Sequence, residues 1–371
     1  MKILRSSFLK LSVIFFLMGM ASQDTFSQGT GVATLITSGG PDAGEIVQAY
    51  INPMISGFGA AMNGGWYNTG KPHSLLGFDL SVNTNIVMIP DEDLTYDLSK
   101  LGLSGAFKYD ASNSICPTVM GDNKPGPTIT MYGPPSPAPG AYTHKIDSFQ
   151  TPPGINFHII PLPIIQGGIG LIKNTEIMVR YLPTIDLSKL VEDLDVKIDF
   201  WGAGVKHDIG QWIPVFEHLP IDLSGMFAYN SLKVSFGLNV PLPDLTGATV
   251  IGTPPAGENK QEVILGVNSF TTNLILSKKI AMLTLFASTG FNYSNITLDV
   301  KGIYGATLDK DLLAKKTVKF FENPISKTFP GANSMRAGLG FRLQLLLLSL
   351  HAEYTFASYP VITAGFGISF R

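Results

Sequence analysis

Charge is what this 371-residue chain has least of: Asp, Glu, Lys and Arg make up 15% of it, against about 25% in an ordinary soluble domain. The formal net charge is -2, so there is none of the basic excess that a nucleic-acid binder needs. Cysteine is almost missing. The single Cys116 excludes an internal disulfide framework, and it stands too far from the N-terminal apolar segment to anchor a lipid. It falls in a proline-rich loop and reads as incidental. The six histidines are scattered with no HxH or HxxxH pair, which leaves a metal site unsupported. Gly168 and Gly170 lack the further glycine and the helix of a dinucleotide fingerprint, so no cofactor is expected. Asp91-Glu92-Asp93 reads as a solvated acidic turn rather than a calcium loop. Past residue 21 no apolar run suits a transmembrane helix, because Ile155 to Ile172 is interrupted by Pro161, Pro163 and glycines.

What the chain does have is 45% hydrophobic residues, 10% aromatics, 39 glycines and 25 prolines. The first two exclude disorder, and the last two disfavour long helices. Residues 1–21 carry Lys2, Arg5 and Lys10 ahead of the apolar stretch Leu11 to Met18, with small residues near Ala21. That order marks a cleaved signal peptide. Its removal shifts the net charge from -2 to -5.

The remaining apolar content is arranged with period two, the mark of strands with unlike faces. Leu76, Phe78, Leu80, Val82, Ile86 and Met88 alternate with Gly77, Asp79, Ser81, Asn83 and Asn85. Leu232, Val234, Phe236 and Leu238 alternate with Ser231, Lys233, Ser235 and Gly237, and the chain closes on Ile362, Ala364, Phe366, Ile368 and Phe370. In a bilayer, strands satisfy every backbone group only by closing into a barrel. Apolar-out, small-or-polar-in strands of about ten residues build such barrels. The expected fold is therefore an all-β transmembrane antiparallel barrel of twelve strands, at residues 58–67, 75–88, 100–109, 155–172, 175–182, 195–206, 221–240, 262–277, 280–304, 334–345, 348–357 and 361–370. Fourteen is the alternative, because Asn292 to Asn295 can hold a turn or bulge and Leu346-Leu347 lacks hairpin-turn residues. With twelve strands both termini fall in the periplasm, the long connections 110–154, 183–194, 241–261 and 305–333 fall outside, and the tight ones fall inside. A soluble sandwich is the competing reading. Aromatics near strand ends, among them Trp66, Tyr67, Phe200, Trp201, Tyr293, Tyr304, Tyr354 and Tyr359, suit interfacial girdles.

The domain plan is signal peptide 1–21, an N-terminal segment 22–57 with a short helix, and a barrel over 58–371. In that segment Ile46, Val47, Tyr50, Ile51 and Met54 form an apolar stripe, and Asn52-Pro53 limits its length. The helix suits a plug in the lumen or a cover under the periplasmic rim. Residues 208–216 suit a second short helix, with Trp212 at the membrane surface. The prolines of 111–154 keep that loop extended and without a core of its own.

Candidate lumen residues are Asp79, Glu176, Arg180, Lys197, Asp199, Lys233, Arg336, Arg342, His351 and Glu353, mixed in sign and few. Internal salt bridges or a selective pathway account for them. Ser349, His351 and Glu353 on one strand face raise the third reading of a lipid hydrolase; no catalytic residue is assigned. The segments Gly64-Gly65-Trp66-Tyr67-Asn68-Thr69, Leu76-Gly77-Phe78-Asp79, Arg180-Tyr181-Leu182-Pro183, Lys206-His207-Asp208-Ile209 and the ending Ala364-Gly365-Phe366-Gly367-Ile368-Ser369-Phe370 resemble an uncharacterised family of exported Gram-negative barrel-like proteins, a domain of unknown function. The leading helix before a glycine-rich barrel is more loosely similar to long-chain fatty-acid transport barrels. The resemblance brings no activity and no functional residues with it. The expected protein is a porin-like outer-membrane barrel that passes or binds a hydrophobic or small solute, or else a closed adhesion barrel with partner-binding external loops. Its expected partners are outer-membrane lipid, the barrel-assembly machinery through the C-terminal strand, and a hydrophobic small-molecule ligand.

Overall fold

The computed structural model describes residues 41–133, 144–186, 188, 195–308 and 317–370; the expected signal peptide, 1–21, falls outside them. Ten antiparallel strands form the wall: β1 Phe78–Met88, β2 Ile159–Leu171, β3 Thr175–Asp186, β4 Val196–Asp208, β5 Asp222–Leu238, β6 Gln261–Ile280, β7 Leu283–Lys301, β8 Ser334–Leu345, β9 Leu348–Phe356 and β10 Val361–Phe370. Neighbours in sequence pair as neighbours in space. The barrel closes where β10 pairs with β1, from Phe78↔Phe370 to Val87↔Val361.

The expected count of twelve was too high by two segments. Residues 58–67 are helix and then lumen chain, and 100–109 are a turn with a two-residue strand, Phe107–Lys108. Both alternate over a few residues without joining the wall, and Phe107–Lys108 pairs instead with Thr128–Gly133 in the loops. The fourteen-strand alternative fails as well. At Asn292 to Asn295, β7 keeps its register with β6 while its other neighbour changes from β8 to the short strand Ile325–Pro330. The Leu346-Leu347 turn does exist, with Leu346 in the left-handed region at φ 55°, a conformation that costs a branched residue energy.

Dropping two strands keeps the parity, so the long connections still fall at one end, although the short 357–360 connection joins them there and the 209–221 loop does not. Tight turns at 172–174, 281–282 and 346–347 and the 209–221 loop share one end with the start of β1 and the end of β10. In the 209–221 loop sit the expected short helices, Gly210–Trp212 and Pro214–Glu217, with Trp212 exposed. Long connections crowd the other end, and there the proline-rich stretch does build a core. Its strands Ile115–Pro117, Thr128–Gly133 and His144–Gln150 bury Cys116, Met120, Ile129, Met131 and Phe149.

Helix α1, Pro41–Asn63, is longer than its sequence suggested and runs through Pro53. The proline costs one backbone bond, but burial of Ile46, Val47, Tyr50, Met54 and Ile55 outweighs it. Its first turn sits among the long loops: Ser104 N–H donates to Asp42, and Lys327 pairs with Glu45 at 2.6 Å. From there the helix descends into the barrel, and residues 64–77 thread on down to the tight-turn end. The first described residue therefore lies at the loop end. The chain thus traverses the lumen before its first strand, and the expected position of the N-terminus falls on residues outside those described.

Along the lower wall the alternation is as read: Phe78 and Leu80 face out, Asp79, Ser81, Asn83 and Asn85 face in. Above a ring of outward aromatics the faces invert. Tyr181 lies beside Trp201, Trp201 and Tyr229 have ring centroids 5.5 Å apart, and Phe270 stacks on Tyr293 at 5.0 Å. On β5, Phe227 and Tyr229 face out beside inward Asn230, but two residues on Leu232 faces in and Lys233 faces out. Lys197, Asp199 and Lys233 thus belong to the outer surface, not the lumen. Trp66, Tyr67, Phe200, Tyr304 and Tyr359 are buried and leave the girdle to the others.

Burial also pushes the Cys116 thiol up, against its ordinary range. Cys116 in the folded protein is expected to resist a maleimide at neutral pH and to react fully in denaturant, as mass spectrometry of the labelled chain would show.

Candidate functional site

The interior divides into a polar lower storey and an apolar upper one. In the lower storey the helix ends in mid-barrel, where its last carbonyls have no partner of their own. The wall supplies partners. Arg180 donates to Met62 O and Gly64 O, each at 2.8 Å, and to Gln166 Oε1. Arg336 donates to Asn63 O at 2.6 Å, and Asn85 Nδ2 to Ala61 O at 2.6 Å and Gly64 O at 3.0 Å. Two cations thus sit on the negative end of the helix dipole.

The threaded segment is gripped residue by residue. Trp66 lies against Gly202 and Gly204, where a Cβ would come within 3.2 Å and 3.1 Å of its ring, and the Arg180 guanidinium covers the indole at 3.8 Å. Tyr67 hydroxyl donates to Glu353 at 3.0 Å, and Glu353 also meets Arg336 at 3.4 Å. Arg342 holds Asn68 at 2.8 Å. Lower still, Glu176 accepts from Lys206 and from the His73 backbone N–H, each at 3.0 Å. Asp79, Glu176, Arg180, Arg336, Arg342, His351 and Glu353 therefore face inward as read, and most are spent on the plug. Ser349 and His351 share that buried face, and neither His351 ring nitrogen has a hydrogen-bond partner. The nearby Glu353 is bound by Tyr67 and Arg336, so the three residues lie beneath the plug rather than on a lipid-facing surface. Among the described residues no group of metal-ligating side chains forms.

The upper storey holds a cavity of about 90 Å³, several times the room one water needs. Met54, Ile55 and Phe58 of α1 form one side. Leu182, Ile198, Leu232, Val234, Phe236, Leu265 and Val267 of the wall form the other, with Pro161, Leu162 and Pro163 completing it. All are apolar. A dry cavity of this kind favours an apolar guest. Met54 was read as a plug residue; Ile46, Val47 and Tyr50 instead pack under the loops, where Tyr50 hydroxyl donates to Pro153 O at 2.8 Å. The inward residues of β5 were missed because they were read as lipid-facing. Ser231 and Lys233 on the opposite face were the signal.

Beside this cavity the wall is incompletely paired. The β2–β3 ladder runs from Leu171↔Thr175 only to Gln166↔Arg180, although β2 continues to Ile159 on β1 and β3 to Asp186 on β4.

The chain belongs to a family of unknown function, DUF6588, whose model matches residues 1–370. No curated protein sequence matches it. Among solved structures it is similar to the translocator domain of the autotransporter NalP from Neisseria meningitidis, at 11% identity over 84% of this chain and 92% of that one, with a TM-score of 0.29. It is also similar to the outer membrane protease OmpT from Escherichia coli, at 8% identity over 82% and 97%, with a TM-score of 0.30.

Removing Arg180 leaves the Met62 carbonyl and Gln166 Oε1 buried without that donor and Gly64 O with Asn85 alone, each lost partner worth about 1–3 kcal/mol. Arg180→Ala is expected to lower stability by about 3 kcal/mol or more, read as an earlier urea midpoint for the folded species.

Proposed function

We propose that this member of a family of unknown function is an outer-membrane barrel that binds a hydrophobic small molecule in the apolar cavity between α1 and the upper wall. The observation that carries the reading is the cavity's lining, apolar on every side and set just above the aromatic ring. The polar lower storey argues against a water-filled pore. Its cations and carboxylates are engaged by the plug, whereas a porin keeps such groups facing an open channel.

Placement in the membrane rests on the outer surface. Phe78, Leu80, Ile177, Val179, Phe227, Leu274, Leu285, Leu339, Phe341, Leu350, Phe366 and Ile368 are exposed around the lower wall, far more contiguous apolar surface than a soluble protein leaves in water. The aromatic ring bounds it towards the loops, as interfacial aromatics do. The short turns then lie in the periplasm and the long loops outside.

Two experiments test the reading. Titration of the purified barrel with the fluorescent fatty acid cis-parinaric acid should give saturable binding. Val234→Trp, which fills the cavity, should abolish that binding, while Ser231→Trp on the outer face of the same strand should retain it; equal binding by both variants would overturn the cavity as the site. For membrane placement, Leu350→Arg in the exposed belt should cost about 2–4 kcal/mol in folding from urea into vesicles. The heat-modifiable gel mobility of a barrel should accompany the folded species throughout.

A further inference from the structure

The unpaired stretch between β2 and β3 is written into the sequence by prolines. Ile89 N–H donates to His158 O and Gly170 N–H to Gly77 O, and the β1–β2 register is continuous between them. Even-numbered residues of β2 thus bond to β1, and odd-numbered ones turn their backbone groups towards β3. Pro161 and Pro163 are odd: the donors they lack are ones that β3 would have used. Continuing the register Gln166↔Arg180 sets Pro163 opposite Pro183, which stands where β3 shifts register against β4 between Leu182 and Ile185 and brings no donor of its own. A sheet interior does not tolerate proline, whereas an edge does. Three prolines thus keep two adjacent strands of a closed barrel as facing edges.

The cavity meets the seam there. Leu162 points inward and Pro161 and Pro163 outward by strand parity, yet all three line the same cavity, so the cavity reaches through the wall. The seam starts beside Tyr181, at the aromatic ring, which is where hydrocarbon gives way to headgroups. No polar side chain lines the cavity itself. Below it, the Arg180–Gln166 bond at 2.8 Å and the plug block descent.

We infer that the β2–β3 seam is a lateral doorway through which a single acyl chain passes between the outer leaflet of the membrane and the cavity. The inference rests on the ligand-binding reading above and adds the direction from which the ligand comes.

The direct test places a bimane fluorophore at Leu162→Cys, in a Cys116→Ser chain, with the barrel in vesicles of phospholipid brominated on its acyl chains. Quenching at this inward position is expected, with none at the inward control Met178→Cys below the seam. An unquenched Leu162 label would overturn the doorway. A second test restores the donors with Pro161→Val/Pro163→Val/Pro183→Val. Amides 181–185 should gain protection from hydrogen exchange. Loading of cis-parinaric acid from vesicles should slow by about tenfold, the effect of roughly one net hydrogen bond. Protected amides with unaltered loading would also overturn it. Saturable binding without quenching removes the doorway and keeps the cavity site. Quenching without saturable binding removes the cavity as a ligand site and, with it, the loading route. Should the proline variant fail to fold, the quenching result alone decides.

Discussion

The interaction on which the molecule depends is the capping of a helix end by the wall that surrounds it. An α-helix stopped in mid-lumen presents several carbonyls and about half a negative charge to a space with little water. Arg180, Arg336 and Asn85 satisfy those carbonyls from three strands at once. The lower lumen buries four cationic side chains, Arg180, Lys206, Arg336 and Arg342, against three carboxylates, Asp79, Glu176 and Glu353. The helix terminus offsets part of that imbalance. Buried charges are costly unless paired, so the plug and the charged wall require each other: without the plug the arginines lose their acceptors, and without the arginines the helix has no stable end.

This arrangement explains why one strand has two environments. Below the aromatic ring the outside is lipid-facing and the inside is polar because it holds the extended segment 64–77, whose backbone needs partners. Above the ring the outside meets water, and the inside meets the apolar face of α1. Strand β5 shows the change within a few residues, from Phe227 out and Asn230 in to Lys233 out and Val234 in. Along β5 the side-chain period does not slip; the surroundings on both sides exchange character.

That exchange sets what was legible in the sequence. The nine segments from 155 onward, together with 75–88, were found with ends correct to a few residues, because unlike surroundings on the two faces enforce one pattern. The joined run at 280–304 was one strand as read, and 262–277 only slightly short. Segments 58–67 and 100–109 alternate too, but nothing in a local pattern reveals that the first continues a helix or that the second pairs within the loops rather than with the wall. Lys197 and Asp199 were assigned inward because charge was equated with the lumen, a rule that holds only below the ring. Helix α1 outran Pro53 because tertiary burial, which the local sequence does not display, outweighed one lost bond.

Prolines 161 and 163 were read only as helix breakers. Their parity had no meaning until the partner of each backbone edge was known. A wall left without ladder hydrogen bonds between β2 and β3 beside an apolar cavity, with a lumen stopped by arginines below, offers a place where an apolar guest can cross without meeting charge. Crossing the lower storey would require unpairing Arg180 and Arg336 from the helix end, at a cost of several kcal/mol for each buried group left without its partner. Crossing at the seam breaks no hydrogen bond of the ladder, since the prolines have already removed the donors. On the reading proposed here the fold is therefore a container open at its side, and its plug is the floor of that container rather than its gate.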